Sequence, residues 1–210
     1  MENRNSEILA EVTRYYSEKI RKYGQTPKGV DWNGRTSQEL RFEQLCLILP
    51  STKDEFSLLD LGCGYGALLD YLALRGFSAS YTGLDVSEEM IVEAKRRYAK
   101  EPNAHFVHSS TPETFADYAI ASGIFNVKQN RSDSEWKALI EDTLDTMDAN
   151  TTRGFAFNCL TSYSDTSKKR ADLFYADPCW LFDLCKQKYS RNVALLHDYG
   201  LYEFTILVRK

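Results

Sequence analysis

The chain has 210 residues, about the length of one domain or of one domain with an elaborated edge. Its 43% hydrophobic and 27% charged residues exclude global disorder. Twenty-six Lys+Arg against 30 Asp+Glu leave a net charge of −4, which argues against a general nucleic-acid surface. The start, Met1-Glu2-Asn3-Arg4-Asn5, leads into no apolar segment, and no stretch approaches the ~20 apolar residues a membrane span needs. A cytoplasmic protein without signal peptide or membrane segment is therefore expected. Cys46, Cys63, Cys159, Cys179 and Cys185 form no C-x-x-C pair and read as reduced thiols.

Residues 1–50 read as a helical cover, interrupted by a loop from Gly24 to Gly34 that contains Pro27 and Gly29. Thr36-x-x-Glu39 predicts a capping box opening a helix with Leu40, Leu45 and Ile48 near one face, stopped by Pro50. Residues 51–210 then alternate. Ser57–Leu61 predicts a buried strand, followed by a glycine turn and a helix over Ala67–Leu74 that Gly76 ends. Tyr81–Val86 predicts a second strand, and Ser87 caps a helix carrying Met90, Ile91, Ala94 and Tyr98 on one face. Strands are predicted at His105–Val107, Tyr118–Ala121 and Gly154–Leu160. Between the last two, Ser132-x-x-Glu135 opens the clearest amphipathic helix, with Trp136, Leu139, Ile140, Thr143, Leu144 and Met147 on one stripe. Residues 162–190 form an insertion and a helix, the latter opened by Asp177-Pro178.

Alternation of this kind predicts a parallel sheet with helices on both faces. At the C-terminus, Val193–His197 and Tyr202–Val208 are joined by a few residues around Tyr199-Gly200, too short for a parallel crossover. The predicted fold is thus α/β: a Rossmann-like three-layer sandwich whose seven-stranded, mostly parallel sheet has an antiparallel C-terminal strand, with an N-terminal helical cover.

The chemistry concentrates at Asp60-Leu61-Gly62-Cys63-Gly64-Tyr65-Gly66, where a strand hands over to a helix. Glycines there let the backbone turn sharply and approach a ligand. The spacing is G-x-G-x-G, unlike the G-x-G-x-x-G of a dinucleotide loop. Asp85 ends the next strand, where a carboxylate can accept hydrogen bonds from both hydroxyls of a ribose.

Leu58–Gly66 together with Gly83-Leu84-Asp85-Val86-Ser87 resembles motifs I and II of the class I S-adenosylmethionine-dependent methyltransferases, and the reversed C-terminal strand matches that family. The resemblance implies S-adenosylmethionine as cofactor, S-adenosylhomocysteine as product, and no metal. It lays Gly62, Cys63, Gly64 and Gly66 against the cofactor, with Asp60 near its amino acid group, Asp85 on the ribose and Val86 on adenine. Many members carry an acid after the third strand. This chain reads His108-Ser109-Ser110, leaving a Ser109 hydroxyl or a backbone carbonyl to face the adenine amino group.

Ligands of open α/β sheets lie over the carboxyl ends of the strands. Ser122 and Gly123, after the fourth strand, are small enough for close approach to the cofactor, and Phe125 can cover a sulfonium with its ring face. Methyl transfer chiefly requires an aligned nucleophile and exclusion of water, with a base only if the nucleophile arrives protonated. Asn158, His197 and Asp198 fall at strand ends and are the catalytic candidates. Tyr16, Trp32, Arg35, Phe125, Asn126 and Tyr163 are the candidates for binding acceptor, with Arg35 or Arg41 placed to pair with a carboxylate. The expected partner is a small molecule methylated on oxygen, nitrogen or carbon, with no nucleic acid or membrane, and the protein itself a monomer or homodimer. Two other readings share the strand–glycine–helix start: an NAD-linked oxidoreductase, and a catalytically silent S-adenosylmethionine-binding module, which a filled acceptor cavity would favour. The 13 Tyr, 11 Phe and 3 Trp cluster partly in the cover and the insertion, as expected of an enclosed pocket.

Overall fold

A computed structural model describes residues 2–30 and 34–210. Helix α1 (Glu2–Tyr23) is followed by a 3-10 turn at Pro27–Val30 and helix α2 (Arg35–Cys46). The sheet then builds up through β1 (Phe56–Leu61), α3 (Ala67–Leu74), β2 (Ala79–Asp85), α4 (Glu88–Arg97), β3 (Ala104–His108) and β4 (Ala116–Ala121). Helix α5 (Asp133–Ala149), β5 (Thr151–Leu160), α6 (Pro178–Lys188), β6 (Asn192–Leu196) and β7 (Glu203–Arg209) complete it. The seven strands lie in the order β3-β2-β1-β4-β5-β7-β6. Only β7 is reversed: it pairs antiparallel with both β5 and β6, while the other neighbours run parallel. The Rossmann-like sheet expected from the strand–helix alternation is therefore present.

Alternating residues along the strands feed two cores. On one face Leu58, Tyr81, Ile120, Ala156 and Leu207 pack beneath α2, α3 and α4. On the other, Leu59, Leu61, Phe155, Phe157 and Ile206 pack against α5 and α6. This follows from the two-residue period of a strand buried on both sides. Helix α1 joins the second core, not the first, through Ile8 and Val12. No helix interrupts residues 109–115 between β3 and β4, and α1 covers the strip of sheet (Leu59, Leu61, Leu84) left open on that face.

Most helix starts follow local chemistry. Ser132 and Glu135 form both arms of a capping box on α5. The Ser87 hydroxyl accepts from the Met90 amide at 3.3 Å, and Asp177 accepts from the Cys179 amide at 2.8 Å. The box expected at Thr36 does not form. Helix α2 begins two residues earlier than a Thr36 cap would start it, with Gly34 at its N-cap and no side-chain cap, and Arg35 takes the Glu39 carboxylate at 2.7 Å.

All five cysteines are free, and four are buried, Cys179 being exposed. Among the described residues no helix is long and apolar enough to cross a membrane, and no group of three or more His, Cys, Asp or Glu is arranged to hold a metal.

Candidate functional site

The carboxyl ends of β1, β2, β3, β4 and β5 and the start of the reversed β7 share one edge of the sheet. A cavity of about 1070 Å³ opens along that edge. Its walls include the glycine turn, Asp85-Val86, Ser109–Thr111, Ser122–Val127 and Leu201–Glu203. Helix α1 contributes Asn5, Leu9, Val12 and Tyr16, a stripe spaced four, three and four residues apart and hence one helical face.

The glycine turn is fixed by its neighbours. The Gly62 and Cys63 amides both donate to the Leu84 carbonyl, at 2.8 and 2.9 Å. Gly62 has φ +74°, and a Cβ there would meet Ile124 at 2.2 Å; Gly66 has φ +84°, and its Cβ would meet Tyr98 at 2.5 Å. Any larger residue at either position is strained and obstructed at once. Asp85 accepts from the Gly64 amide and the Ser87 amide, each at 2.8 Å. One carboxylate thus ties the turn after β1 to the turn after β2. With about four lone-pair sites, it retains acceptor capacity toward the cavity it lines.

Asp60 is buried beside that turn and accepts from the Tyr81 hydroxyl at 2.5 Å. Burial pushes its carboxyl up to about 7, and the nearby Asp85 charge adds to the rise, while the Tyr81 hydrogen bond opposes it. Burial likewise raises Asp85, against the pull of its two amide donors.

The opposite wall is held by a buried polar network. Arg41 on α2 donates from Nε and Nη2 to the two oxygens of Glu203, at 2.7 and 2.6 Å. Asn158 donates to Glu203 at 2.6 Å and accepts from the Gly123 amide at 2.8 Å. Cover helix, reversed strand, β5 and the turn after β4 are thereby joined in one chain of bonds. Asn126 reinforces it: its side-chain oxygen accepts from the Leu160 amide at 3.0 Å, and its carbonyl accepts from the Phe174 amide at 2.8 Å. The Trp136 indole donates to the Phe125 carbonyl at 2.7 Å.

Of the residues singled out from the sequence, Asp60, Gly62, Cys63, Gly64, Asp85, Val86, Ser109, Ser122, Gly123, Tyr16, Phe125 and Asn126 all line the cavity. Gly66 sits one step behind, where its carbonyl accepts from the Tyr98 hydroxyl at 2.6 Å. Asn158 is fully buried and reaches the cavity only through Gly123 and Glu203. His197 and Asp198 are exposed and lie outside it, because β6 is the edge strand, with β7 between it and β5. The His197 ring rests against Tyr163 and Phe204, with centroids 5.8 and 5.9 Å away. Tyr163 is likewise exposed and off the cavity, and Arg35 points into its own helix pair with Glu39. Trp32 lies outside the described residues. Gln38 and Glu203, which line the cavity, were not singled out from the sequence, nor was Tyr81 given a role; Arg170 and Tyr175, which also line it, belong to the insertion expected to help enclose the pocket. Glu203, an acid at the start of a mostly apolar strand, carried a faint signal.

A family described as a methyltransferase domain matches residues 58–147. A Mycobacterium tuberculosis protein, "Putative methyltransferase Rv1506c", is 64% identical over 157 residues, covering 75% of this chain and 95% of its own. Among solved structures, a complex of DhpI with SAM and HEP has a TM-score of 0.66 at 17% identity, covering 97% of this chain and 98% of the other. The N-methyltransferase NodS from Bradyrhizobium japonicum WM9, bound to S-adenosylhomocysteine, has a TM-score of 0.67 at 13% identity, covering 94% and 97%. These two share the fold. With the close mycobacterial relative and the glycine turn in place, the chain belongs to the class I S-adenosylmethionine-dependent methyltransferases.

Proposed function

We propose that this protein transfers the methyl group of S-adenosylmethionine to a small-molecule acceptor inside an enclosed cavity. The observation that carries the reading is one continuous cavity of about 1070 Å³, running from the glycine turn to the insertion after β5. That is just above the usual range for small-molecule sites, roughly 300–1,000 Å³, and leaves space for an acceptor beside a cofactor. A silent binding module has no need of that second space.

The residues present fit the cofactor. Gly62 is exposed to the cavity, and any side chain there would collide with Ile124. Ser122 presents a buried hydroxyl oxygen with no hydrogen-bond partner within the chain, on the cavity wall. In this reading Asp60 holds the amino group of the cofactor's methionine portion, Asp85 the ribose hydroxyls, and Val86 packs on adenine. Ser109 takes the place of the usual acid near the adenine amino group, and the Phe125 region lies by the sulfonium. The bound cofactor supplies a methyl carbon activated by a sulfonium leaving group. The chain's part is alignment and exclusion of water: Gly123, held by Asn158, and Phe125, held by Trp136, set the floor on which an acceptor rests. Among the described residues no histidine lines the cavity, so the reading assigns no imidazole base.

Calorimetric titration with S-adenosylhomocysteine and with NAD tests this. Saturable binding of the first and none of the second is expected, and tight NAD binding with no response to S-adenosylhomocysteine would sink the reading.

A further inference from the structure

The charges on the cavity wall are sorted by place. Four carboxylates line it among the described residues: Asp60, Asp85, Asp142 and Glu203. Asp60 and Asp85 belong to the turns after β1 and β2. Asp142 lies on α5 facing α1, where the Asn5 amide donates to it at 2.8 Å. Glu203 has both oxygens taken by Arg41 and a further bond from Asn158. The wall made by the insertion therefore carries no free acid, and its charged members are both cations, Lys168 and Arg170.

These two cations differ in their engagement. Lys168 ends the 3-10 turn Thr166–Lys168, is exposed, and has no ion-pair partner among the described residues. Arg170 is paired through Nε and Nη2 with Asp172, which does not line the cavity and also feels the charge of Lys19 on α1. Arg170 is also hydrogen-bonded to Tyr15, so Lys168 is the less engaged of the two cations. Tyr175 accepts from the Arg170 backbone amide at 2.9 Å, so its own hydroxyl proton remains available to an acceptor oxygen. Leu173 adds an apolar side chain to the insertion's part of the wall.

We propose that Lys168 and Arg170 form an anion-binding subsite for the acceptor, which therefore carries a carboxylate or phosphoryl group apart from the atom that is methylated. Net positive charge on this wall disfavours a cationic sulfonium in the same cavity, and an anionic acceptor offsets it. The acceptor supplies the negative charge, and the charge-assisted bonds fix its orientation. This inference rests on the methyltransferase reading and names its substrate class.

The test uses the full chain saturated with S-adenosylhomocysteine and titrated with benzoate, phenylphosphonate, benzamide and benzylamine. At least one anion is expected to bind about tenfold more tightly than the neutral and cationic probes. The better of the two anions identifies a carboxylate or a phosphoryl group. Lys168→Glu, an exposed substitution, is expected to abolish that preference and leave S-adenosylhomocysteine affinity unchanged. Anions that bind no better than benzamide, or a preference that survives Lys168→Glu, would overturn the subsite. Failure of the unaltered protein to bind S-adenosylhomocysteine would strike the methyltransferase reading beneath it.

Discussion

The two walls of the cavity are held by opposite means. The wall built from β1, β2 and their turns spans residues 60 to 87, and its bonds run between near neighbours: Gly64 to Asp85, Ser87 to Asp85, Gly62 to Leu84. Most of its donors are backbone amides, so its shape is set by where glycine is tolerated. The facing wall is assembled from afar. Arg41 and Glu203 lie 162 positions apart, and Asn158 and Gly123 lie 35 apart. Here every bond needs a side chain from a distant element, and they hold only once the whole sheet has formed.

The largest expected effect comes from breaking the assembled wall. Arg41 and Glu203 are 7% and 2% exposed. Removing one partner strands the other as a buried charge, at a cost of about 3–5 kcal/mol. Glu203→Ala should show this as a lower midpoint in urea denaturation. The double variant Arg41→Met/Glu203→Leu should recover most of it, because an apolar pair leaves no charge stranded. A Glu203→Ala midpoint close to that of the unaltered protein would mean that the wall is held by packing alone.

The local wall should fail in binding more than in folding. Asp85→Ala removes the acceptor proposed for the ribose hydroxyls and leaves the Gly64 and Ser87 amides without their partner. A charged hydrogen-bond acceptor of this kind contributes about 1.5–3 kcal/mol, so S-adenosylhomocysteine affinity should fall roughly 10- to 100-fold by calorimetry. Normal affinity in Asp85→Ala would displace the ribose from this position.

How far each wall could be read beforehand follows from the same contrast. The glycine turn, Asp85 and the Ser132 and Asp177 caps are short-range patterns, and a linear sequence displays such patterns directly. The reversed β7 was legible because the connection around Gly200 is too short for a crossover. The Arg41–Glu203–Asn158 network was not, since no local spacing links α2 to β7. Nor was the placement of α1 on the α5 face: its apolar stripe declares that it packs, and the missing helix between β3 and β4 decides where. The Thr36 box failed for a local reason, because Arg35 claimed the Glu39 carboxylate and the helix started earlier.

Asp60 gives the local wall a pH signature. With its carboxyl at about 7 against an unfolded value near 3.8, the folded chain without ligand holds a proton that the unfolded chain has lost. Stability from this group is full below the unfolded value and is lost as pH rises through about 7. A ligand ammonium beside Asp60 favours the ionised form, so the sign for binding is the reverse. S-adenosylhomocysteine affinity should weaken as pH falls below about 7, by up to about tenfold (1.4 kcal/mol) per pH unit. Asp60→Asn should flatten the profile. An unaltered protein whose affinity is level across that range would separate Asp60 from the amino group.

The smallest effect is expected where the sequence pointed most directly to catalysis. His197 was the one histidine at the end of a strand predicted to reach the site, with Asp198 beside it to tune its charge. Both sit past the edge strand β6, exposed, and neither lines the cavity. The neighbours of His197 are the rings of Tyr163 and Phe204, and Tyr163 is itself 69% exposed. His197→Ala should therefore leave S-adenosylhomocysteine affinity and single-turnover methyl transfer within about 0.5 kcal/mol of the unaltered protein, as for other surface substitutions. A loss of turnover with affinity intact would bring the β6 end into the reaction, and the assembled wall would then extend one strand further than the cavity does.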